Sequence, residues 1–172
     1  MNSIEIQEIP KITSPNPVTL ICTERPDGDT NLAAISWWTF VSYEPPLIGI
    51  AMSRKGYSGE RLAETGRCLL TVPSEEIAKS AFLCGTVSGR DKNKAVEFGI
   101  ELRAVENSKI KAPVHSRLVV DCAMQGRLEI ADSDHYFYIC RPERAFADEN
   151  KTGLFAWNGY GYLAPALRGD KV

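Results

Sequence analysis

The chain has 172 residues, of which 20 are Lys or Arg and 22 are Asp or Glu, so its formal net charge is −2. A chain of this length can bury about two-thirds of its unfolded surface, and we expect residues 1–172 to form one domain. The balanced charge argues against nucleic acid and anionic membranes as partners, because both require a basic surface.

The chain carries no sign of a membrane segment or a disulfide framework. No apolar run approaches the roughly 18 residues that span a bilayer, and no basic segment precedes an apolar one at the N-terminus. The five cysteines include no CxxC pair, and their number is odd. The two histidines form no cluster with cysteines that would bind zinc. We expect a cytoplasmic protein with reduced thiols, four of which lie in apolar, strand-like runs and should be buried: Cys22, Cys68, Cys122 and Cys140.

Short β-branched and aromatic runs bounded by Gly and Pro predict strands along most of the chain. The first strand, at 18–23, is closed by Pro26-Asp27-Gly28 and opens a hairpin. In the long strand at 117–130, Asp121 lies on the polar face, and Gly126 indicates a bulge. The full set of predicted strands covers 18–23, 31–36, 47–52, 68–72, 117–130, 135–140 and 159–163.

Three segments between these strands begin with polar residues and have a glycine just past their ends. They predict helices at 59–65, 74–84 and 91–98, with Ser74 as an N-cap. Many short strands with few short helices indicate a mainly β protein, in which an antiparallel barrel carries helical insertions.

The segment between Gly28 and Ser58 contains the residue types of one cofactor pocket. Small residues after Asn31 let a flat ring lie against the backbone, while Asn31 and Ser36 offer hydrogen bonds and Trp37 offers an aromatic wall. The basic Ser53–Ser58 turn before a predicted helix provides an anion cradle. A phosphorylated aromatic cofactor fits these features.

Four motifs follow one another at Asp27–Trp37, Pro45–Ile48, Ser53–Ser58 and Cys84–Lys94. They are Asp-Gly-x-x-Asn-x-x-x-x-Ser-Trp, Pro-Pro-Leu-Ile, Ser-Arg-x-x-x-Ser and Cys-Gly-x-x-Ser-Gly-Arg-Asp-x-x-Lys. In order and spacing the chain resembles the flavin reductase-like family, which includes flavoredoxins, over roughly residues 15 to 140. The resemblance implies an antiparallel Greek-key split β-barrel that binds FMN.

The resemblance also implies which residues bind the cofactor. Those that would line the isoalloxazine ring and ribityl chain are Asn31, Ala33, Ser36 and Trp37. Those that would surround the phosphate are Ser53, Arg54, Lys55, Tyr57 and Ser58. Cys84 and Ser88 would approach the flavin, and Lys94 would lie near the ring, where a cation raises the potential.

Other residues have two interpretations each. Arg54 and Lys55 either bind the phosphate or belong to a solvated loop. His135 either lies near the substrate face or is a hydrogen-bonded turn histidine. Tyr160 either closes the aromatic end of the barrel or belongs to the core.

The chemistry is expected to come from the flavin, because the sequence shows no catalytic triad, carboxylate pair or metal-ligand cluster. The resemblance implies an NAD(P)H:flavin oxidoreductase, in which electrons pass from NADH or NADPH through FMN to free flavin, a ferric chelate or a redox partner. No Gly-x-Gly-x-x-Gly motif follows a strand, so the nicotinamide would stack directly on the flavin.

Two alternatives remain open. One is a flavoredoxin-type electron carrier with tightly bound FMN and no NAD(P)H activity, and the other is a non-enzymatic flavin-binding module. Members of the family usually form homodimers, and the apolar 35–41 run either contributes to such an interface or packs in the core of one chain.

Overall fold

A computed structural model describes residues 2–166, and antiparallel strands dominate this part of the chain. The strands are β1 (Asn16–Pro17), β2 (Thr19–Glu24), β3 (Thr30–Ile35), β4 (Trp38–Tyr43), β5 (Pro46–Ser53), β6 (Arg67–Pro73), β7 (Leu102–Arg103), β8 (Ala112–Pro113), β9 (Ser116–Leu128), β10 (His135–Ala147), β11 (Leu154–Trp157) and β12 (Tyr162–Pro165). The helices are α1 (Ile9–Ile12), α2 (Tyr57–Thr65), α3 (Ala78–Leu83) and α4 (Lys94–Glu97), with 3₁₀ turns at Ile6–Glu8 and Glu75–Ile77.

Seven strands form one antiparallel sheet in the order β3-β2-β6-β9-β10-β5-β4. β3 and β4 lie at opposite edges of this sheet, yet only Ser36 and Trp37 connect them. The edges of a flat sheet of seven strands would be about 29 Å apart, whereas this connection spans at most about 10 Å. The sheet therefore curls on itself, and Ala51 N–H donates to the Trp37 carbonyl at 2.9 Å. This geometry confirms the prediction of a mainly β, antiparallel split barrel.

Local sequence accounts for two turns of the fold, one at Gly28 and one at Gly66. β2 and β3 form the predicted hairpin, with Gly28 at φ 83° in its turn. α2 ends as predicted at Gly66, whose φ of 70° provides a left-handed C-cap. The first turn joins β2 to the edge strand β3, and the second joins α2 to β6.

Two helix predictions need correction. The 74–84 segment begins with a 3₁₀ turn, and the Ser74 hydroxyl donates to the His115 carbonyl at 3.0 Å instead of capping the helix. The helix predicted at 91–98 is the single turn α4, where the Asn93 side chain accepts from the Val96 N–H. Ser74 thus bonds outside its helix, whereas Asn93 caps α4, which ends after one turn at Phe98.

The sequence prediction missed five strands, β4, β11 and the two-residue β1, β7 and β8, and it shortened β10. It also placed the last strand at 159–163, whereas β12 begins at Tyr162 after a turn. β4 is an edge strand whose side chains are mostly exposed, so it lacks the alternation that marks a half-buried strand. β11 belongs to the small sheet β1-β11-β12. β10 continues past Pro142 to Ala147 because its pairing with β9 is irregular between Pro142 and Arg144, where the missing N–H of proline is tolerated.

Two apolar clusters pack on the two faces of the sheet. The barrel interior holds Ile21, Ile48, Ile50, Met52, Leu62, Cys68, Leu70, Val120, Cys122, Tyr138 and Cys140. The outer cluster joins the sheet to α3, α4 and the 95–112 segment, and contains Leu20, Cys22, Leu32, Leu69, Ile77, Ala81, Cys84, Ala95, Ile100, Val105, Ile110, Ala112, Val119 and Leu154. The five cysteines are free and buried; the sequence predicts burial of the four in strand-like runs, and Cys84 is buried as well.

Asp121 corrects the expectation of a polar outer face on β9. Its side chain is fully buried, and it pairs with Arg67 of β6 at 2.7 Å and with Arg144 of β10. The predicted bulge occurs at Gln125, immediately before Gly126. Among residues 2–166, no helix is long and apolar enough to cross a membrane.

Candidate functional site

A groove runs along the exposed face of β3 between the start of α2 and the turn that follows α3. It consists of two cavities, of about 220 and 270 Å³, which share Ala34, Ile35 and Gly85. We call this combined space the β3 groove; its α2 end is the smaller cavity and its Trp37 end is the larger one.

The β3 groove brings together ten of the twelve residues that the sequence singled out. These are Ala33, Ser36, Trp37, Ser53, Lys55, Tyr57, Ser58, Cys84, Ser88 and Lys94. Asn31 and Arg54 are the two that do not line it.

The α2 end has the features of an anion site. Gly56 is the N-cap of α2 and supplies no side chain to accept from the N–H groups of the first turn. Tyr57, Ser58 and Gly59, which occupy that turn, line the cavity. Their N–H groups and the helix dipole favour a negatively charged ligand group.

Glycines make room for this end of the groove. A Cβ on Gly56 would lie 2.9 Å from the Ser53 carbonyl oxygen, and one on Gly59 would lie 2.8 Å from the Tyr138 hydroxyl. A Cβ on Gly89 would lie 1.7 Å from Asn31 Oδ1. The chain therefore approaches itself closely around the cavity, and side chains at these positions would distort it.

Asn31 lies behind the cavity wall instead of lining it. Its side chain is 1% exposed, and its amide nitrogen donates to Ser58 Oγ at 2.7 Å and to Thr23 Oγ1 at 3.1 Å. Among the described residues, its Oδ1 has no hydrogen-bond partner. Direct contact of Asn31 with a bound ring does not follow from this placement.

Arg54 turns away from the groove toward the end of the barrel. Its guanidinium lies 4.7 Å from the ring centroid of Tyr136 and donates to the Ile130 carbonyl at 2.6 Å. Arg127 stacks over the same Tyr136 ring at 4.0 Å. Of the adjacent pair, Lys55 is the basic residue that lines the α2 end.

Lys94 and Cys84 meet in the wall of the α2 end, next to Gly85, which both cavities share. Lys94 is 4% exposed, and its ammonium donates to the Cys84 carbonyl at 2.6 Å. Burial lowers the pKa of Lys94 because the charged form loses water. Burial also raises the pKa of the Cys84 thiol to about 11, so this thiol is not a reactive nucleophile.

Aromatic residues surround the Trp37 end. Trp37 is half exposed and lies 5.2 Å from the His135 ring, whose Nδ1 is 2.7 Å from Asp134 Oδ1. This hydrogen bond lowers the pKa of the Asp134 carboxyl. His135 begins β10, is hydrogen-bonded to Asp134 of the preceding turn and lines the groove, so its two interpretations are compatible and a role toward substrate stays a prediction.

Tyr160 closes the opposite side of the Trp37 end. It stacks on Phe82 at 5.2 Å, and its hydroxyl would lie 2.6 Å from a Cβ on Gly85. Pro10 and Gly159 line the same cavity. Sequence reasoning left Tyr160 ambiguous and missed Pro10 and Gly159, because no local pattern shows that the segments around residues 10 and 159 meet here.

Two arginines that sequence reasoning did not single out, Arg25 and Arg90, hold the Gly85–Asn93 segment over the α2 end. Arg25 donates to the Gly89 carbonyl at 2.5 Å, and Arg90 makes two hydrogen bonds to Glu60 at 3.1 and 2.8 Å. Both guanidinium groups lie over the Tyr57 ring, at 6.0 and 5.2 Å. These contacts join residues far apart in sequence, so charge spacing along the chain does not reveal them.

Comparison with known proteins identifies the group to which this architecture corresponds. The model of the flavin reductase-like domain family matches residues 13–164. A flavin reductase of Pseudomonas putida is 26% identical over 153 residues, which cover 87% of this chain and 84% of that protein. Three other curated relatives align over only 47% to 60% of their own lengths.

Solved structures share the fold. A flavoredoxin from Methanosarcina acetivorans superposes with a TM-score of 0.83 and 22% identity, covering 100% of this chain and 95% of the other. An FMN-binding protein from Thermus thermophilus superposes with a TM-score of 0.85 and 16% identity, covering 100% and 99%. At these identities, the likeness establishes the split-barrel fold.

Proposed function

The chain belongs to the flavin reductase-like family, and on that premise we propose that it binds FMN in the β3 groove and serves as a flavin-dependent oxidoreductase. The observation that carries the proposal is the continuity of the groove. An uncapped helix start lies at one end, and a small-residue strand with aromatic neighbours lies at the other. A flat ring joined to a phosphate has the matching shape and polarity.

The α2 end would hold the phosphate. The N–H groups of Tyr57, Ser58 and Gly59 would donate to it, together with hydroxyls that line the same cavity. Lys55 adds a positive charge whose side chain remains exposed. The residues present therefore fit a dianionic phosphate, without a contribution from Arg54.

The Trp37 end would hold the isoalloxazine ring. Ala34 and Ser36 line it with small side chains and Ile35 with an apolar one, and Gly85 adds no side chain to the lining. Lys94 lines the α2 end and bonds to the carbonyl of Cys84, the residue before Gly85, which both cavities share; from there it would place a cation near the polar edge of the ring. Such a cation favours the anionic reduced form of a flavin.

When bound, FMN would supply hydride acceptance and electron release, and the chain would orient it and control access. Trp37 is 49% exposed, so the Trp37 end opens to solvent beside His135. A nicotinamide from NADH or NADPH would enter at this opening and stack on the flavin. The electrons would then pass to free flavin, a ferric chelate or a redox partner.

We further propose that two copies of the chain assemble through β4. This edge strand exposes Phe40 at 67% and Tyr43 at 95%, with Val41 between them at 43%. An apolar edge strand of this kind is exposed to pairing with another chain unless it is covered. Because Trp37 immediately precedes β4, such an interface would lie beside the opening of the β3 groove.

Anaerobic absorbance spectroscopy tests the activity. The apoprotein is reconstituted with FMN, and NADH and then NADPH are added while the absorbance of oxidised flavin is followed. We expect bleaching by one of the nucleotides, which identifies the hydride donor.

Two other results would contradict this proposal and favour one of the alternatives. Bound FMN that ignores both nucleotides but accepts electrons from a redox protein would indicate a flavoredoxin-type carrier. Bound FMN that responds only to dithionite would indicate a non-enzymatic flavin-binding module.

A further inference from the structure

A chain of three buried polar side chains lies directly behind the α2 end of the β3 groove. Asn31 occupies its centre, with both amide hydrogens donated to hydroxyl oxygens, those of Ser58 at 2.7 Å and Thr23 at 3.1 Å. The three residues are 1%, 6% and 0% exposed, respectively. Of these three hydrogen-bonded residues, Ser58 is the one that lines the groove.

The surroundings hold the Asn31 amide in one place. The Gly89 backbone packs against the Asn31 Oδ1. A Cβ on Gly89 would come within 1.7 Å of this oxygen. Gly89 is held in turn by Arg25, which donates to the Gly89 carbonyl at 2.5 Å. The β2–β3 pairing places Thr23 opposite Asn31 in the sheet. With its nitrogen toward Ser58 and Thr23, the amide turns its Oδ1 to the Gly89 backbone, where this oxygen has no hydrogen-bond partner among residues 2–166.

This arrangement determines what the Ser58 hydroxyl can do. A serine hydroxyl has one proton to donate and oxygen lone pairs that accept. The Asn31 amide already donates to that oxygen, and within residues 2–166 no acceptor lies in hydrogen-bond reach of the Ser58 proton. The proton is thus available toward the groove, beside the N–H groups of the first turn of α2.

We propose that Asn31 is a positioning residue that holds the Ser58 hydroxyl as a hydrogen-bond donor to the terminal phosphate of bound FMN. The inference rests on the proposed FMN site. It assigns Asn31 a role through Ser58, because Asn31 itself does not line the groove. A neutral amide suits this role, whereas a carboxylate would accept the Ser58 proton and remove the donor.

The comparison of FMN with riboflavin isolates this role, because the two ligands differ by the phosphate. We would measure the affinity of the apoprotein for each by quenching of flavin fluorescence, and take the ratio. In wild type FMN should bind more tightly. Both S58A and N31L should lower the ratio by about fivefold, while the riboflavin affinity stays within about twofold.

A double-mutant cycle separates positioning from loss of structure. Because Asn31 acts through Ser58, S58A combined with N31L should lower the ratio no further than S58A alone. T23V is the matched control: it removes the other hydroxyl bound to Asn31 but leaves the Asn31 to Ser58 bond, so its ratio should equal that of wild type. Should N31L fail to fold, N31D replaces it, and its effect must shrink when Ser58 is alanine.

Each result decides one claim. A wild-type protein that binds FMN no better than riboflavin would overturn the phosphate placement, and this inference with it. A wild-type preference for FMN with multiplicative effects of the two substitutions would leave the phosphate site intact and overturn the role of Asn31 alone.

Discussion

At the scale of single residues, the structure distinguishes two adjacent cations that the motif presents as equivalent. Lys55 lines the α2 end of the groove, whereas Arg54 packs over Tyr136. K55A should therefore weaken FMN binding by about 1 kcal/mol, roughly fivefold, a value that reflects the exposure of the lysine to solvent. R54A is the matched control, with the same loss of charge one residue away.

Isothermal titration calorimetry with FMN and riboflavin measures this difference. The FMN affinity of R54A should stay within about twofold of wild type, and neither substitution should change riboflavin binding. A larger loss of FMN affinity in R54A than in K55A would show that the phosphate lies on the other side of the loop.

Burial of the Lys94 ammonium destabilises the folded apoprotein, and the bound cofactor would offset this destabilisation. The ammonium is buried with the Cys84 carbonyl as partner, and burial lowers its pKa. Because the unfolded chain then binds more protons, stability should rise with pH between the lowered pKa and about 10.4, the usual value for lysine. K94M should remove this dependence and stabilise the apoprotein at pH 7 by about 1 kcal/mol.

The same substitution should lower the midpoint potential of bound FMN, because it removes the cation that favours the reduced form. Urea unfolding of the apoprotein measures the change in stability, and spectroelectrochemistry of the holoprotein measures the midpoint potential. K92M is the control, since Lys92 is exposed and paired with Glu97. An unchanged potential in K94M would contradict the placement of Lys94 near the ring.

At the scale of elements, Asp121 connects three neighbouring strands of the barrel. Its buried carboxylate on β9 pairs with Arg67 of β6 and Arg144 of β10. D121N should lower the free energy of unfolding by about 3 kcal/mol, because it leaves the facing guanidinium groups without their charge partner.

Chemical denaturation measures the loss, and FMN affinity should not change because this cluster lies outside the β3 groove. E143Q is the control: Glu143 contacts Arg67 from an exposed position and should contribute less than about 1 kcal/mol. Equal effects of the two substitutions would show that burial of Asp121 does not strengthen its pairs.

The elements also show where sequence reasoning succeeds and where it stops. Glycine-terminated segments and β-branched runs predicted α2, β2, β3, β5, β6 and β9, because their local signals agree with the fold. β4 escaped prediction because an exposed edge strand has no alternating pattern. The groove residues on β3, β5 and α2 could be predicted from contiguous motifs, whereas the positions of Asn31 and Arg54 depend on packing across the barrel.

At the scale of the whole molecule, the proposed assembly follows from the unpaired edge of β4. We expect the wild-type protein to have twice the 19.0 kDa mass of one chain. F40D should shift it toward 19.0 kDa, since a charge at an apolar interface costs more than the contact it replaces. V96D is the control, because Val96 is also a largely exposed apolar residue but lies on α4.

Static light scattering after size-exclusion chromatography measures these masses. A monomeric wild-type protein would contradict the assembly, and a dimeric F40D variant would place the interface elsewhere.

The central claim is that the β3 groove binds FMN with its phosphate at the start of α2, and amide NMR of the ¹⁵N-labelled apoprotein during an FMN titration tests it most directly. The account predicts saturable shifts concentrated in three segments that meet only in the fold, residues 33–37, 53–59 and 84–89. The largest should be those of Tyr57, Ser58 and Gly59. Shifts confined to another part of the surface, or no shifts at all, would contradict the account.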